Sequence, residues 1–250
     1  MSTLQVIRVV NNPSKRWILL LNKQQNYSFI CRTDIKGYYA NINKMHLLQQ
    51  LRVYVSDPIV LDLLSQFLHY TVESGGNFHT PQKGIARSSS LSPLLGAFHL
   101  YCIDDYFANQ PNLYYARYMD DFIILTKTRW HLKRAVSKLN QFFDQFQFKQ
   151  HPDKTFIGNI AKGFDWMGFW FTDKGCTSAA PRALSNRAKK LLWLYERVRK
   201  LPVREQAIRI ESYLVRWERW QNNIVDSQLD IGHFDRKGCL PCSSWALISG

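Results

Sequence analysis

Two adjacent aspartates at the tip of a predicted β-hairpin constrain this chain more than any other feature. The runs 114–118 and 122–126 are rich in aromatic and β-branched residues, which favours two short strands. Met119, Asp120 and Asp121 lie between these runs, and so few residues allow only a tight turn. The sequence therefore predicts a hairpin that presents two acidic side chains, although adjacent aspartates also cap helices or line turns.

A third aspartate follows another predicted strand. Residues 27–33 have the composition of a strand and run directly into Asp34, which places this acid at a strand's carboxyl end. Magnesium prefers oxygen ligands and keeps several waters, so two or three converging carboxylates suit it. We expect Asp34, Asp120 and Asp121 to converge as magnesium ligands, with the Ile35 carbonyl beside them and Mn²⁺ as the alternative ion.

Helical and strand patterns are mixed along the first 174 residues, which favours an α+β fold with helices packed on an antiparallel sheet. Apolar residues at helical spacing predict two helices within 44–70, separated at Asp57, and single helices at 91–107 and 129–146. A turn is expected at 74–77. The runs 155–160 and 164–172 predict a second pair of strands.

The character of the chain changes near Gly175. Ser185 is predicted to cap a helix that ends at Lys200, and Pro202 to open another that ends near Ile224. Both helices are basic, and their tryptophans are assigned to packing: Trp193, Trp217 and Trp220. We predict one domain over 1–174, a helical basic domain over 175–225 and a tail over 226–250.

The charge of the chain points to a polyanionic partner. The 250 residues carry a formal net charge of +14, and the basic residues are spread along the sequence. A membrane surface is the competing partner, but no apolar run approaches the roughly 18 residues of a spanning helix, and the N-terminus lacks a signal-peptide pattern. We expect a cytoplasmic protein that binds nucleic acid and no membrane.

The five cysteines are scattered and odd in number, which argues against a disulfide framework. Cys239 and Cys242, with His233 upstream, have the spacing of half a zinc site. No second pair lies at ligand spacing, so loop thiols are the favoured interpretation.

Several segments occur in an order that resembles the reverse transcriptases. They are Asp34-Ile35 with Tyr38-Tyr39, then Gly84 through Leu95, then Tyr118-Met119-Asp120-Asp121, then Lys154, then Met167-Gly168-Phe169. The resemblance covers Ile30 to about Thr172 and is closest to the bacterial branch with group II intron, retron and diversity-generating enzymes. It implies a right-hand polymerase palm with residual fingers, followed by a helical thumb over 175–225.

The resemblance also implies an activity and its partners. An RNA-directed DNA polymerase of a retroelement or antiphage defence system would use two Mg²⁺ ions to add deoxynucleotides to a primer 3′-hydroxyl. The implied partners are an RNA template, a DNA or RNA primer, dNTPs and a structured non-coding RNA or a second protein. Asp34 and Asp120 would hold both ions, and Asp121 would support one.

Further roles follow from the same resemblance. Tyr39 matches the aromatic gate that excludes a 2′-hydroxyl, with a core tyrosine beside a strand as the alternative. Lys154 matches a lysine proposed to protonate pyrophosphate, with an ordinary surface lysine as the alternative. Arg87 and Ser88 lie in the nucleotide loop, where they replace the family's usual glutamine and glycine and put nucleotide selection in doubt. The implied contacts to primer and template are Tyr118, Met119, Met167, Gly168, Arg187 and Lys190.

The segment before Asp34 is short for this family. Its basic residues, among them Lys15, Arg16 and Lys23, match no fingers motif. A non-catalytic RNA-binding remnant, or a subunit that needs a partner chain, is therefore the alternative to an active polymerase. An RNA-templated RNA polymerase is a third reading, against which Met119 and Tyr39 argue.

Overall fold

The computed structural model describes residues 26–234, and their side chains as far as residue 222. These residues fall into two compact units, which are described separately. The first unit comprises residues 26–166 and 171–175, and the second comprises 167–170 and 176–234. The basic residues near the N-terminus and the cysteines Cys239 and Cys242 lie outside the described residues, so the expectations about them stay predictions.

Helices and strands follow one another in this order. They are β1 (Phe29–Asp34), α1 (Tyr38–Asn41), α2 (Lys44–Tyr54), α3 (Pro58–Leu68), β2 (Val72–Ser74), β3 (Asn77–His79), α4 (Ser92–His99), α5 (Tyr101–Ala108), β4 (Leu113–Tyr118), β5 (Asp121–Thr126), α6 (Arg129–Phe146), β6 (Phe156–Asn159), β7 (Phe164–Trp166), β8 (Phe169–Thr172), β9 (Gly175–Ala179), α7 (Pro181–Val198) and α8 (Val203–Phe234).

A four-stranded antiparallel sheet in the order β4-β5-β1-β6 forms the centre of the first unit. The predicted hairpin is confirmed: β4 and β5 pair from Leu113 opposite Thr126 to Tyr118 opposite Asp121. Between β5 and β6, the strand β1 is central and buried from Ile30 to Asp34. The α+β fold expected from the sequence is therefore the fold of this unit.

Helix α6 covers one face of this sheet because its apolar residues recur at helical spacing. Thr128 caps its first turn by accepting a hydrogen bond of 3.2 Å from the His131 amide, and Gln147 ends it in a left-handed conformation with φ of 58°. The predicted helix 129–146 is confirmed. Its buried residues share a core with Phe122 and Ile124 of β5, and they are Leu132, Ala135, Leu139, Phe143 and Phe146.

Helices α2 and α3 separate where the sequence predicts. The Asp57 carboxylate accepts hydrogen bonds from the amides of Ile59 and Val60 at 2.8 Å and 3.2 Å, which caps α3. The predicted turn at 74–77 joins two short strands, β2 and β3, which the composition did not indicate. The single helix predicted over 91–107 is wrong, because the helix breaks at Leu100 into α4 and α5.

The predicted second strand pair is also wrong. Strand β6 joins the central sheet, where Phe29 lies opposite Asn159 and Arg32 opposite Phe156. The run 164–172 contains two strands, because Met167 and Gly168 turn the chain with φ of 50° and 93°. Strands β7, β8 and β9 form a three-stranded sheet in that order.

Two long helices make up most of the second unit. Helix α7 begins at Pro181, not at Ser185, because proline favours the first helical position. Helix α8 continues to Phe234, beyond the predicted end near Ile224. The predicted domain bounds at 174 and 225 stay predictions. No helix within residues 26–234 is long and apolar enough to cross a membrane.

The tryptophans of the second unit differ in their surroundings. Trp220 packs on Phe169 with ring centroids 4.1 Å apart, and on Trp217 at 4.8 Å. Trp193 is 48% exposed, so its predicted packing role is wrong. The Lys190 ammonium lies 3.8 Å from the centre of the Trp193 ring, where the attraction between cation and ring holds both side chains at the surface.

Candidate active site

The register of the central sheet brings the three predicted aspartates to one end of it. Asp34 is the last residue of β1 and lies directly opposite Asp121, the first residue of β5. The Ile35 amide donates a hydrogen bond of 3.1 Å to the Asp120 carbonyl, which continues this pairing past the strand ends. Asp34 is 3% exposed, and Ile35 is fully buried. The acids therefore belong to adjacent backbone segments.

The turn of the hairpin consists of Met119 and Asp120, since Tyr118 and Asp121 form the last strand pair. Met119 has a φ of 52°, in the left-handed region that costs a residue with a side chain about 1–2 kcal/mol. This conformation sets the direction in which the chain enters Asp120. Met119 itself is 40% exposed at the tip.

Two cations contact the carboxylates. The Lys154 ammonium donates a hydrogen bond of 2.6 Å to Asp34 Oδ2. Arg32 Nη2 lies 3.3 Å from Asp121 Oδ1 and 3.3 Å from Asp165 Oδ1, and its Nη1 donates to the Lys154 carbonyl at 2.7 Å. The side chains of Asp34 and Arg32 are 4% and 8% exposed, so both ion pairs are shielded from water.

The sequence did not assign a role to Arg32 or Asp165. One signal was present: an arginine within a strand is rarely buried without an ionic partner. The partner could not be read from the sequence, because Asp121 and Asp165 are distant from Arg32 along the chain.

Burial and the charges of neighbouring carboxylates raise the pKa values of the two hairpin aspartates, Asp120 and Asp121. Burial raises the pKa of Asp120, and the nearby Asp34 raises it further. The pKa of Asp121 is raised from its ordinary value of 3.8 to about 6, chiefly by burial and then by Asp34 and Asp120, while Arg32 and Lys154 oppose the shift. Both acids are therefore harder to ionise in the folded protein than in water.

The carboxylates of this site do not form a complete magnesium-binding cage by themselves. Within the described part of the chain, no three His, Cys, Asp or Glu side chains converge as a metal-binding cluster. Lys154 and Arg32 each engage a carboxylate oxygen that a metal would otherwise use. Magnesium needs only one or two protein carboxylates when substrate phosphates and waters complete its shell. Asp34 and Asp120, which the register of the sheet brings to the same end, suit such an open site.

Tyr39 lies within electrostatic reach of the carboxylates. Burial raises its pKa first, and Asp120 raises it next. Its ring packs beside Gly96 of α4, where an added Cβ would lie 3.2 Å from the Tyr39 ring. The Ile85 amide donates to the Tyr39 carbonyl at 2.8 Å, which attaches the predicted nucleotide loop to α1.

Further along that loop, Arg87 and Ser88 are exposed. The loop is held on either side of them. The Gly84 amide donates to the Ile42 carbonyl at 2.8 Å, and the Ser92 hydroxyl donates to the Ala86 carbonyl. Their roles in nucleotide binding stay predictions.

The remaining predicted residues belong to the second unit. Met167 and Gly168 form the left-handed turn before β8, and a Cβ at Gly168 would lie 3.0 Å from the Trp220 ring. Arg187 is half-buried, with its guanidinium 5.4 Å from the centre of the Trp217 ring. Lys190 is exposed beside Trp193. Their contacts to primer and template stay predictions.

An antiparallel sheet backed by helices, with acids at the paired ends of its central strands, is the architecture of a polymerase palm. The family model described as reverse transcriptase (RNA-dependent DNA polymerase) matches residues 3–171 of the chain. The chain therefore belongs to the reverse transcriptase family.

Solved structures of similar fold include telomerases from two Candida species. The chain is 13% identical to apo telomerase from Candida tropicalis, with a TM-score of 0.55 over 67% of this chain and 36% of that one. It is 15% identical to Candida tropicalis telomerase in complex with the TWJ fragment of telomeric RNA, with a TM-score of 0.51 over 84% and 41%. The corresponding complex from Candida albicans is 15% identical, with a TM-score of 0.50 over 73% and 38%.

These likenesses concern the fold. The chain spans about two fifths of the length of the telomerase chains that it matches. A search of curated protein sequences gave no match.

Proposed function

We propose that this protein is an RNA-directed DNA polymerase that adds deoxynucleotides to a primer 3′-hydroxyl. The observation that carries the proposal is the pairing of Asp34 with Asp121 across β1 and β5, with Asp120 in the adjoining turn. This pairing, in a member of the reverse transcriptase family, supports the proposal because it places the three proposed ligands at one end of the central sheet.

Asp34 and Asp120 are the proposed ligands of two magnesium ions, with Asp121 and the Ile35 carbonyl in support. The raised pKa values of Asp120 and Asp121, caused by burial first and by neighbouring carboxylates second, support this assignment, because a bound cation stabilises the ionised carboxylates. When bound, magnesium ions supply Lewis-acid activation of the primer hydroxyl and charge stabilisation for the leaving pyrophosphate.

Lys154 is the proposed proton donor to the pyrophosphate. Its ammonium has three N–H donors, and the bond to Asp34 uses one of them. The side chain is 28% exposed, so its other donors have access to a bound phosphate. Lys154 therefore holds Asp34 in place and presents an acid to the same reaction.

Tyr39 is the proposed gate against ribonucleotides. Its ring is held from behind by Gly96 and lies 5.3 Å from the Tyr38 ring, centre to centre. A ring supported on two sides cannot retreat from a 2′-hydroxyl, so it selects sugars by volume. Arg87 and Ser88, on the loop that is bonded to the Tyr39 carbonyl, are proposed to contact the triphosphate.

RNA is the proposed template. The net charge of +14 suits a nucleic-acid duplex, and two of the structures with similar fold contain a fragment of telomeric RNA. The order of the motifs supports a place in the bacterial branch, in a retroelement or a defence system. Met167, Gly168, Arg187 and Lys190 are the proposed primer and template contacts of the second unit.

Primer extension with an Asp120→Asn variant tests the proposal. Purified protein, Mg²⁺ and dNTPs would be incubated with a DNA primer on an RNA template. Loss of a metal ligand removes several kcal/mol of transition-state stabilisation, so the rate should fall by more than about 100-fold. RNA affinity should stay unchanged, because the substitution removes no phosphate contact.

Asp105→Asn is the matched control, since Asp105 is an exposed aspartate of α5. It should extend primers at the wild-type rate. Wild-type activity in Asp120→Asn would overturn the assignment of the site. No extension by the wild-type chain, with RNA still bound, would instead indicate an RNA-binding protein without polymerase activity.

A further inference from the structure

A buried arginine lies directly behind the turn that carries Asp120. The Arg117 side chain is 6% exposed, and its Nη1 donates a hydrogen bond of 2.6 Å to the Met119 carbonyl. Its Nη2 donates to the Ala97 carbonyl of α4 at 3.1 Å. The side chain therefore connects the hairpin turn with a helix that is distant along the chain.

Asp104 of α5 completes this arrangement. Its carboxylate accepts a hydrogen bond of 2.7 Å from Arg117 Nε and a second bond from Nη2 of the same side chain. The Tyr115 hydroxyl donates to Asp104 Oδ1 at 2.6 Å. Asp104 is 4% exposed, so the pair is a bidentate ion pair shielded from water. Asp104 and Arg117 are called the Arg117 cluster below.

Stability alone does not account for such a cluster. Removing two charges from water costs several kcal/mol per ion, and apolar residues of equal volume often replace a buried pair without loss of stability. The geometry indicates a directional role instead. Arginine offers donors in a rigid fork, so that one side chain can satisfy Asp104, Met119 and Ala97 in different directions.

The hydrogen bond from Arg117 to the Met119 carbonyl affects the position of Asp120. Met119 is held in the left-handed conformation, and the peptide that carries its carbonyl joins it to Asp120. Fixing the plane of this peptide fixes where the Asp120 backbone begins. The Ala97 carbonyl lies next to Gly96, against which the Tyr39 ring packs. The same guanidinium therefore connects the turn that carries Asp120 with helix α4, which supports the Tyr39 ring.

We propose that the Arg117 cluster positions Asp120 for metal binding and sets its place relative to Tyr39. This inference rests on the proposed function of the site. Arg117 and Asp104 are positioning residues, because they act through the Met119 peptide and not on a substrate.

Two variants and one control test the proposal. Arg117→Lys keeps a charge beside Asp104 but lacks the fork that reaches the Met119 carbonyl. Asp104→Leu with Arg117→Met, in a Tyr115→Phe background, removes the whole cluster and leaves no unpaired charge. Tyr115→Phe alone removes one bond to Asp104 and keeps every bond of Arg117, so it is the control.

The conformation of the turn can be followed directly. The chain has four methionines, so methyl-¹³C labelling gives a simple spectrum in which Met119 reports on the turn and Met45 of α2 serves as an internal reference. Mn²⁺ affinity, measured by electron paramagnetic resonance without substrate, reports on the carboxylates. Primer extension then separates kcat from the KM for dNTP.

Both cluster variants should shift or broaden the Met119 resonance and leave Met45 unchanged. Mn²⁺ affinity and kcat should each fall by roughly 10- to 100-fold, as when the supports of metal ligands are removed, with little change in KM. Tyr115→Phe should keep wild-type values. Cluster variants that fold but keep the wild-type Met119 resonance and Mn²⁺ affinity would overturn the proposal, whatever their thermal stability.

The same measurements separate this inference from the proposed function. If the wild-type chain extends no primer, the polymerase proposal fails. A Met119 resonance and Mn²⁺ affinity that still respond to the two cluster variants would then retain the positioning role.

Discussion

Replacing Asp121 with asparagine should make the metal-free protein more stable at neutral pH. The carboxyl of Asp121 has its pKa raised from 3.8 to about 6, chiefly by burial, despite the opposing charge of Arg32. This difference corresponds to about 3 kcal/mol of unfavourable ionisation in the folded protein. Asparagine has the shape of the neutral carboxyl and removes this cost. Arg32 keeps its contact with Asp165 at 3.3 Å.

The stabilisation should depend on pH in a definite direction. A carboxyl with a raised folded-state pKa binds protons more tightly in the folded protein, so its contribution is fully present below pH 3.8. That contribution is lost as pH rises through the interval from 3.8 to about 6. The variant and the wild type should therefore be nearly equal in stability at the acid end, and the gap should reach its plateau above about pH 7.

Urea unfolding followed by circular dichroism would measure the effect at several pH values in the presence of EDTA. Asp173→Asn is the control, because Asp173 is an exposed aspartate between β8 and β9. Added Mg²⁺ should narrow the gap, since the ion binds the wild-type carboxylates more tightly. An Asp121→Asn protein that is less stable at neutral pH, or a difference that does not vary with pH, would refute the reasoning.

Two further substitutions test separate parts of the site. Tyr39→Ala should admit ribonucleotides by removing the volume that excludes a 2′-hydroxyl, which competition between dNTP and NTP during primer extension would measure; unchanged discrimination would make Tyr39 a packing residue. Gly84→Ala should cost roughly 1–3 kcal/mol more in unfolding free energy than Gly75→Ala. Both glycines have positive φ, but a Cβ at Gly84 would lie 2.9 Å from the Ala40 carbonyl oxygen, whereas a Cβ at Gly75 meets nothing within 4 Å. Equal costs in urea unfolding would show that the loop relaxes around the methyl group.

Local patterns in the sequence were sufficient for the palm hairpin and for helix α6. Two runs with strand composition and a two-residue turn leave β4 and β5 only one way to pair. Helix α6 has an amphipathic pattern and a threonine cap, both of which lie within its own segment. The break before α3 is equally local, because the Asp57 cap and Pro58 are adjacent. Each of these features depends on neighbours along the chain.

Long-range pairing could not be read in the same way. Strand β6 was expected to pair with the run that follows it, but it pairs with β1, whose other edge is occupied by β5. Composition gives the presence of a strand and not its partner, because any exposed strand edge offers the same backbone groups. The ion pairs of Arg32 depend on the same unpredicted neighbours. The Arg117 cluster likewise joins β4 to α5 and could not be foreseen.

The surroundings of the tryptophans show a related difficulty. Trp193 and Trp220 both lie at helical spacing in basic helices, and the sequence assigns both to packing. Trp220 meets Phe169, whereas Trp193 lies at the surface beside Lys190. A helical pattern predicts a face, but whether another element covers that face depends on the tertiary structure.

The direct pairing of Asp34 with Asp121 restricts where insertions and deletions can be tolerated as this sequence evolves. Gaining or losing one residue within β1 or β5 would move the side chains in the rest of that strand to the opposite face of the sheet. Selection for the site would remove such changes even where substitutions are tolerated. The turn at Gly75 and Gly76 has open space around both residues, so insertions in descendants of this sequence are expected there.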